Sequence, residues 1–238
     1  MKITLIDAGK RFNRDWIFRH LEYEFLPTQH YAITGPNGSG KSTLLQIIAG
    51  AIAISEGAVR YAAAAAADAD AAGTAVRGTA VAGRSVAGRS VAGTAVAPEN
   101  AYRRLSFSAP YLDLIEEMTA TEFLRFHHAF KPFLSSLSIP AILDVVGLAG
   151  AAQKQIRFFS SGMKQRLKLA QALFSDTSVI LLDEPCTNLD AEGIALYQQL
   201  VRHYGAGRLV IVSSNDPQEY DFCETALDIR RYKQGLPL

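Results

Sequence analysis

The sequence predicts an α/β fold: a mainly parallel sheet, an antiparallel β subdomain at the N-terminus, and an inserted α-helical subdomain over residues 111–170. Three observations predict it. Short aliphatic runs alternate with helical patterns through much of the chain, as in parallel sheets covered by helices on both faces. The first apolar runs, 2–6 and 21–26, look instead like antiparallel strands, the second nearly alternating in polarity. From Thr119 to about Ser175 the pattern is helical without strand-like runs.

Taken in order, residues 30–34 read as a short strand, followed by a glycine-rich turn and a helical run over 41–49. Residues 57–61 read as a further strand. Helices are expected at 122–130, 140–146 and 162–174, with Pro132 and Pro140 as breaks. A buried-type strand at 178–182, a helix at 191–204 and a strand at 208–213 complete the pattern.

The chain has 238 residues, 24 Lys plus Arg against 23 Asp plus Glu, and 49% apolar residues. That balance excludes a charge-rich disordered tail and gives no electrostatic case for binding nucleic acid or an anionic membrane. No apolar stretch approaches the roughly 18–20 residues of a membrane span, and the N-terminus lacks the apolar core of a signal peptide. Two cysteines, Cys186 and Cys223, form no disulfide framework, so a reducing cytoplasm is expected. Residues 62–97 lack Leu, Ile, Met, Phe, Tyr and Trp, and from Gly73 they repeat every five residues. A period of five fits neither helix nor strand. The tract reads as a low-complexity insertion without chemistry, within a single domain spanning 1–238.

Gly35-Pro36-Asn37-Gly38-Ser39-Gly40-Lys41-Ser42 fits G-x-x-x-x-G-K-[ST] at every fixed position. Glycines let the backbone curl so that successive N–H groups face a phosphate, and the helix that follows adds its N-terminal partial charge. Lys41 supplies a full charge to the β- and γ-phosphates, the Ser42 hydroxyl can ligate Mg²⁺, and Thr43 follows on the same turn. The stretch 179–184, Val-Ile-Leu-Leu-Asp-Glu, is an apolar strand ending in two carboxylates. Asp183 is placed to hold Mg²⁺, and Glu184 to polarise the water that attacks the γ-phosphate.

Between these motifs lies Phe159-Ser160-Ser161-Gly162-Met163-Lys164-Gln165-Arg166, which opens a helix, and after Pro185 comes Thr187-Asn188-Leu189-Asp190. The first resembles the signature motif of ABC ATPases, written LSGGQ, with Phe, Ser161 and Met163 as departures; the second resembles their D-loop. The four motifs follow the family's order, so the chain resembles an ABC transporter ATP-binding subunit with a P-loop NTPase sheet. That resemblance implies ATP and Mg²⁺ as ligands and a head-to-tail homodimer or heterodimer. In it, Ser160, Ser161, Gly162 and Asp190 of one protomer complete the phosphate site of the other. Ser-Ser-Gly before a helix is also a good N-cap, and the two roles are compatible.

The resemblance also exposes two substitutions. The family's Q-loop glutamine has no counterpart in 105–113, where Ser108 or Ala109 occupies its neighbourhood, and Asn215 stands where the family has its switch histidine. Asparagine donates a hydrogen bond but carries no proton charge. The candidate catalytic set is therefore Lys41, Glu184 and Asn215, with hydrolysis that is slow or leans more on Glu184. Phe12 is the candidate for stacking on adenine, with Trp16 as competitor. The implied partner is an integral-membrane subunit docking near Tyr111, Leu112, Leu114 and Ile115, which places the chain in the cytoplasm, peripheral on the inner face of the membrane. The rival readings are a soluble ABC ATPase acting on ribosomes or DNA, and a low-turnover ATP-binding regulatory module.

Overall fold

Two eleven-residue strands open the chain, β1 (Lys2–Phe12) and β2 (Asp15–Phe25), in the computed structural model, which describes residues 1–63 and 94–233. They form one hairpin in which Phe12 faces Asp15 across a turn with Asn13 left-handed at φ 54°. Both strands run further than the apolar patterning predicts. The extra length includes Gly9 and the left-handed residues Asp7 (φ 46°) and His20 (φ 55°), where the register shifts as at a bulge. The register shifts leave that half without a clean alternation, although Ala8 and Phe18 are fully buried.

After β3 (His30–Thr34) and α1 (Lys41–Ile48), β4 (Glu56–Ala62) returns to pair with β1, and β5 (Ala95–Val96) pairs with β4, all antiparallel. Of the low-complexity tract predicted over 62–97, residues 64–93 lie outside the described residues; its two flanks pair with each other at Ala62 and Ala95.

A short α2 (Pro98–Ala101) leads into β6 (Leu105–Ser108), followed by α3 (Ala120–Phe130), α4 (Ile139–Val145) and α5 (Ser161–Phe174). Then come β7 (Val179–Asp183), α6 (Ala191–Tyr204), β8 (Leu209–Ser213) and β9 (Thr225–Asp228). The five strands form a parallel sheet in the order β6-β7-β8-β3-β9. The α/β expectation holds. The two outer strands, β6 and β9, are absent from the sequence reading: each has four residues, too few to display a period.

The central strands serve two cores. Leu181 and Ile211 face the antiparallel sheet and α1 with Ile3, Phe18 and Leu44, while Ile180, Leu182, Val210 and Val212 face the helical side. Burial on both faces explains why β7 and β8 read as unbroken aliphatic runs. Thr119 and Glu122 close a reciprocal capping box at the start of α3.

Buried Arg208 ties the ends of these elements together, donating to the carbonyls of Thr177 at 2.6 Å, Leu173 at 2.7 Å and Ser175 at 2.7 Å. His127 is half-buried between Gln171 and Ser175, where it serves helix packing. Burial pushes its imidazole down to about 4, and Lys131 and His128 add to the effect. One expectation fails. Leu114, read as part of a docking surface, is only 9% exposed and belongs to the core beneath α3, whereas Leu112 and Ile115 are exposed. Among the described residues no helix is long and apolar enough to cross a membrane.

Candidate functional site

β3 delivers the chain to a turn that only glycine can make at three places. Gly35, Gly38 and Gly40 sit at φ 144°, 74° and 104°. A Cβ on Gly35 would lie 2.8 Å from Ser39 Oγ, and one on Gly40 would lie 2.3 Å from Ile17 Cγ2. The turn opens α1, whose N-cap Gly40 offers no side-chain acceptor and whose first turn holds no acidic residue. Its N-terminal N–H groups and partial positive charge thus remain available to an anion.

Lys41 is 4% exposed and folds back over the turn, donating from Nζ to the carbonyls of Gly35 at 2.9 Å and Pro36 at 3.3 Å. The Ser39 hydroxyl beneath it is buried without a hydrogen-bond partner. The turn and α1 wall a cleft of about 190 Å³ with Asn37, Gly38, Gly40, Lys41, Ser42 and Thr43; Ile17 of β2 and Glu184 complete it.

Adjacent carboxylates on a strand point to opposite faces, so a backbone change is needed for both to serve one site. The structure supplies it. Asp183 ends β7 in extended conformation, and Glu184 turns left-handed at φ 41°, its N–H bonded to the Ser213 carbonyl at 2.9 Å. This conformation is strained for a residue with a side chain. It brings Glu184 to the cleft of Lys41 and Ser42. Asp183 is 1% exposed, and its Oδ1 is buried with no hydrogen-bond partner. After β8, the Asn215 amide donates to Asn37 Oδ1 at 3.1 Å, linking that loop to the phosphate turn.

Tyr111, expected on the docking surface, is exposed like Leu112 and Ile115. Partial burial, with the Asp183 charge adding, pushes its phenol up to about 12. The segment that carries it follows β6, which pairs beside β7 with Ser108 opposite Leu182.

A second cleft, of about 370 Å³, gathers Ser160, Ser161, Gly162, Met163 and Arg166 of α5 with Asn188, Leu189 and Asp190. It shares no lining residue with the first. Ser160 caps α5 by accepting the Met163 N–H at 3.2 Å, and Asp190 caps α6 by accepting the Gly193 N–H at 2.8 Å. Arg166 Nη2 approaches Asp190 Oδ1 to 3.7 Å, and Gly162 leaves room for the Asn188 carbonyl, which a Cβ would meet at 3.2 Å. Arg166 and Asn188 are cleft residues given no role from the sequence.

Phe12 is 49% exposed at the end of β1 and lies outside the core, with Lys10 Nζ 4.8 Å from its ring centroid. It does not line the phosphate cleft; Ile17 does. Trp16 is engaged elsewhere, with the Arg19 guanidinium 4.5 Å and the Arg11 guanidinium 5.6 Å from its ring centroid.

The family model described as ABC transporter matches residues 18–187, a span that holds the phosphate turn, the signature stretch and the paired carboxylates. The chain belongs to the ABC transporter family. It is an ATPase of that family.

This ABC ATPase is 28% identical over 221 residues to the cytochrome c biogenesis ATP-binding export protein CcmA of Agrobacterium fabrum, covering 91% of this chain and 90% of that protein. It is 25% identical over 235 residues to the uncharacterized ABC transporter ATP-binding protein YybJ of Bacillus subtilis, covering 95% and 92%. Its fold is similar to that of a putative ABC transporter ATP-binding protein from Pyrococcus furiosus, with a TM-score of 0.72 at 15% identity over 98% of this chain and 100% of that one. The dimeric structure of a bacterial ABC transporter cassette gives a TM-score of 0.70 at 21% identity over 95% and 94%.

Proposed function

We propose that this chain binds and hydrolyses ATP as the motor subunit of an ABC transporter, working as a dimer through a separate transmembrane partner on the inner face of the membrane. The observation that carries the reading is Glu184 turned left-handed into the cleft of Lys41 and Ser42. The cleft suits the chemistry. Lys41 would exchange the carbonyls of Gly35 and Pro36 for the β- and γ-phosphates, and the N–H groups of the turn and α1 would hold the remaining oxygens. Asp183, with its orphaned buried oxygen, and Ser42 fit a hard divalent cation and would hold Mg²⁺. When bound, that ion offsets phosphate charge. Glu184 accepts the proton of the attacking water, and Asn215 steadies Asn37 by an amide hydrogen bond that does not titrate.

In the dimer the second cleft of one chain, with Ser160, Ser161, Gly162 and Asp190, faces the phosphate cleft of the other. Phe12, exposed and unengaged by the core, stacks on the adenine. The transmembrane partner docks beside exposed Leu112 and Ile115. The domain reading remains one ATPase domain over 1–238, with its helical subdomain over 111–170 and the 62–97 insertion in the β subdomain.

Glu184→Gln tests the central assignment. It is expected to lower ATP turnover by about 10²–10⁴ while ATP still binds and drives dimerisation. An unchanged rate overturns the general-base role, and a wild type that binds no ATP overturns the function. Purification from membranes tests the partner: recovery with an integral-membrane chain supports the transporter reading, and recovery with ribosomes or DNA favours the rival.

A further inference from the structure

Glu184 turns left-handed, a conformation that a residue with a side chain keeps only where the chain is held on both sides. Before it, β7 and the bond from the Glu184 N–H to the Ser213 carbonyl fix the backbone. After it, two side chains from distant elements take hold. Gln165 of α5 donates from Nε2 to the Pro185 carbonyl at 2.6 Å, and the Cys186 N–H donates to Glu219 Oε1 at 2.7 Å.

That carbonyl and that N–H belong to one peptide unit. Its plane is rigid, so bonds at both ends fix its orientation. The Pro185 ring also fixes φ, which leaves little freedom between the held plane and Glu184. Gln165 and Glu219 are both buried, unusual for residues that prefer water, and burying a carboxylate is costly. Gln165 lies in the second turn of α5. Glu219 ends the short turn Pro217–Glu219 after Asn215, and its carbonyl accepts from the Tyr197 hydroxyl of α6 at 2.7 Å. Neither side chain lines the phosphate cleft.

We propose that Gln165 and Glu219 are positioning residues for Glu184: they clamp the Pro185–Cys186 peptide from its two ends and so hold the turn that brings the carboxylate to the phosphate cleft. The proposal rests on the reading of Glu184 as the general base of an ATPase. Both residues act through the backbone. One belongs to the helix whose N-terminus lines the second cleft and the other to the loop that carries Asn215, so the base takes its position from both.

The test measures ATP turnover, ATP affinity by calorimetry and melting temperature for the full chain carrying Gln165→Met, Glu219→Met or Glu219→Gln. Methionine has a similar length without the donor or acceptor, whereas glutamine in place of Glu219 keeps an acceptor oxygen. Each methionine variant is expected to lower kcat by about 10–10²-fold, as a slightly misplaced base does, with ATP affinity unchanged. Glu219→Gln should restore most of what Glu219→Met loses. In a Glu184→Gln background, Gln165→Met should lower the residual rate no further. An unchanged kcat, a loss of ATP affinity that matches the loss of turnover, or a full additional loss in the Glu184→Gln background overturns the proposal. So does a Glu219→Gln variant as slow as Glu219→Met. If Glu219→Met does not fold, Gln165→Met decides alone. A rate left unchanged by Glu184→Gln overturns the general-base reading and this inference with it. A rate that falls in Glu184→Gln but holds in both methionine variants overturns this inference alone.

Discussion

Replacing Gly40 by alanine puts a methyl group 2.3 Å from Ile17 Cγ2, at a backbone angle of φ 104°. Two costs combine. The left-handed backbone charges any residue with a Cβ roughly 1–2 kcal/mol. The overlap adds about 1–3 kcal/mol, because Cγ2 of a β-branched residue sits close to the main chain and cannot swing aside. Gly38 supplies the control: it is also left-handed, at φ 74°, but a Cβ there meets nothing within 4 Å. Gly38→Ala should therefore show the backbone cost alone and Gly40→Ala both. At roughly 2–4 °C per kcal/mol for a domain of this size, the second variant should melt some 2–12 °C below the first. Urea midpoints at constant m-value give the free energies. The double variant Gly40→Ala with Ile17→Ala removes the clash, so its coupling energy should cancel the overlap cost. Equal destabilisation by the two glycine variants, or no coupling with Ile17, would refute the steric argument.

Arg208→Met, which keeps the stem but strips the carbonyls of Thr177, Leu173 and Ser175 of their donor, should destabilise by about 3–5 kcal/mol. Arg208→Lys should recover only part, because an ammonium cannot span the fork; urea unfolding reads both. His127 gives a pH signature. Its folded value of about 4 lies below the ordinary 6.5, so the unfolded chain binds more protons between those limits and stability falls as pH drops from 6.5 toward 4. Allowing for partial solvent screening, the loss should be about 1–2 kcal/mol, absent in His127→Gln and visible in unfolding curves across that window. Asn215→Ala removes the hydrogen bond to Asn37, and ATP affinity should fall about 2–10-fold at every pH from 6 to 8; a calorimetric titration showing no change would leave that bond without a role.

The phosphate turn was fully legible, because a loop that must curl around an anion allows few residue types at few positions. α6 was legible at both ends, from Asp190 as its cap and an apolar face to Tyr204. The distal half of the first hairpin was not, since its register shifts and left-handed residues break the alternation that a strand would show. Leu114 was misplaced because four apolar residues around one aspartate do not reveal which of them turns inward. The setting of Tyr111 was hidden for a different reason. The segment that carries it follows β6, whose parallel pairing with β7, far along the chain, no local pattern announces.

Glu184 carries a further consequence for laboratory evolution. At φ 41° the backbone there favours glycine, and Glu184→Gly would relieve on the order of 1 kcal/mol of strain. A library selected for heat resistance alone will therefore enrich a change that erases the carboxylate facing the phosphate turn. Stabilised variants of this chain should be sorted by ATP turnover before melting temperature, because at this position the two rankings run in opposite directions.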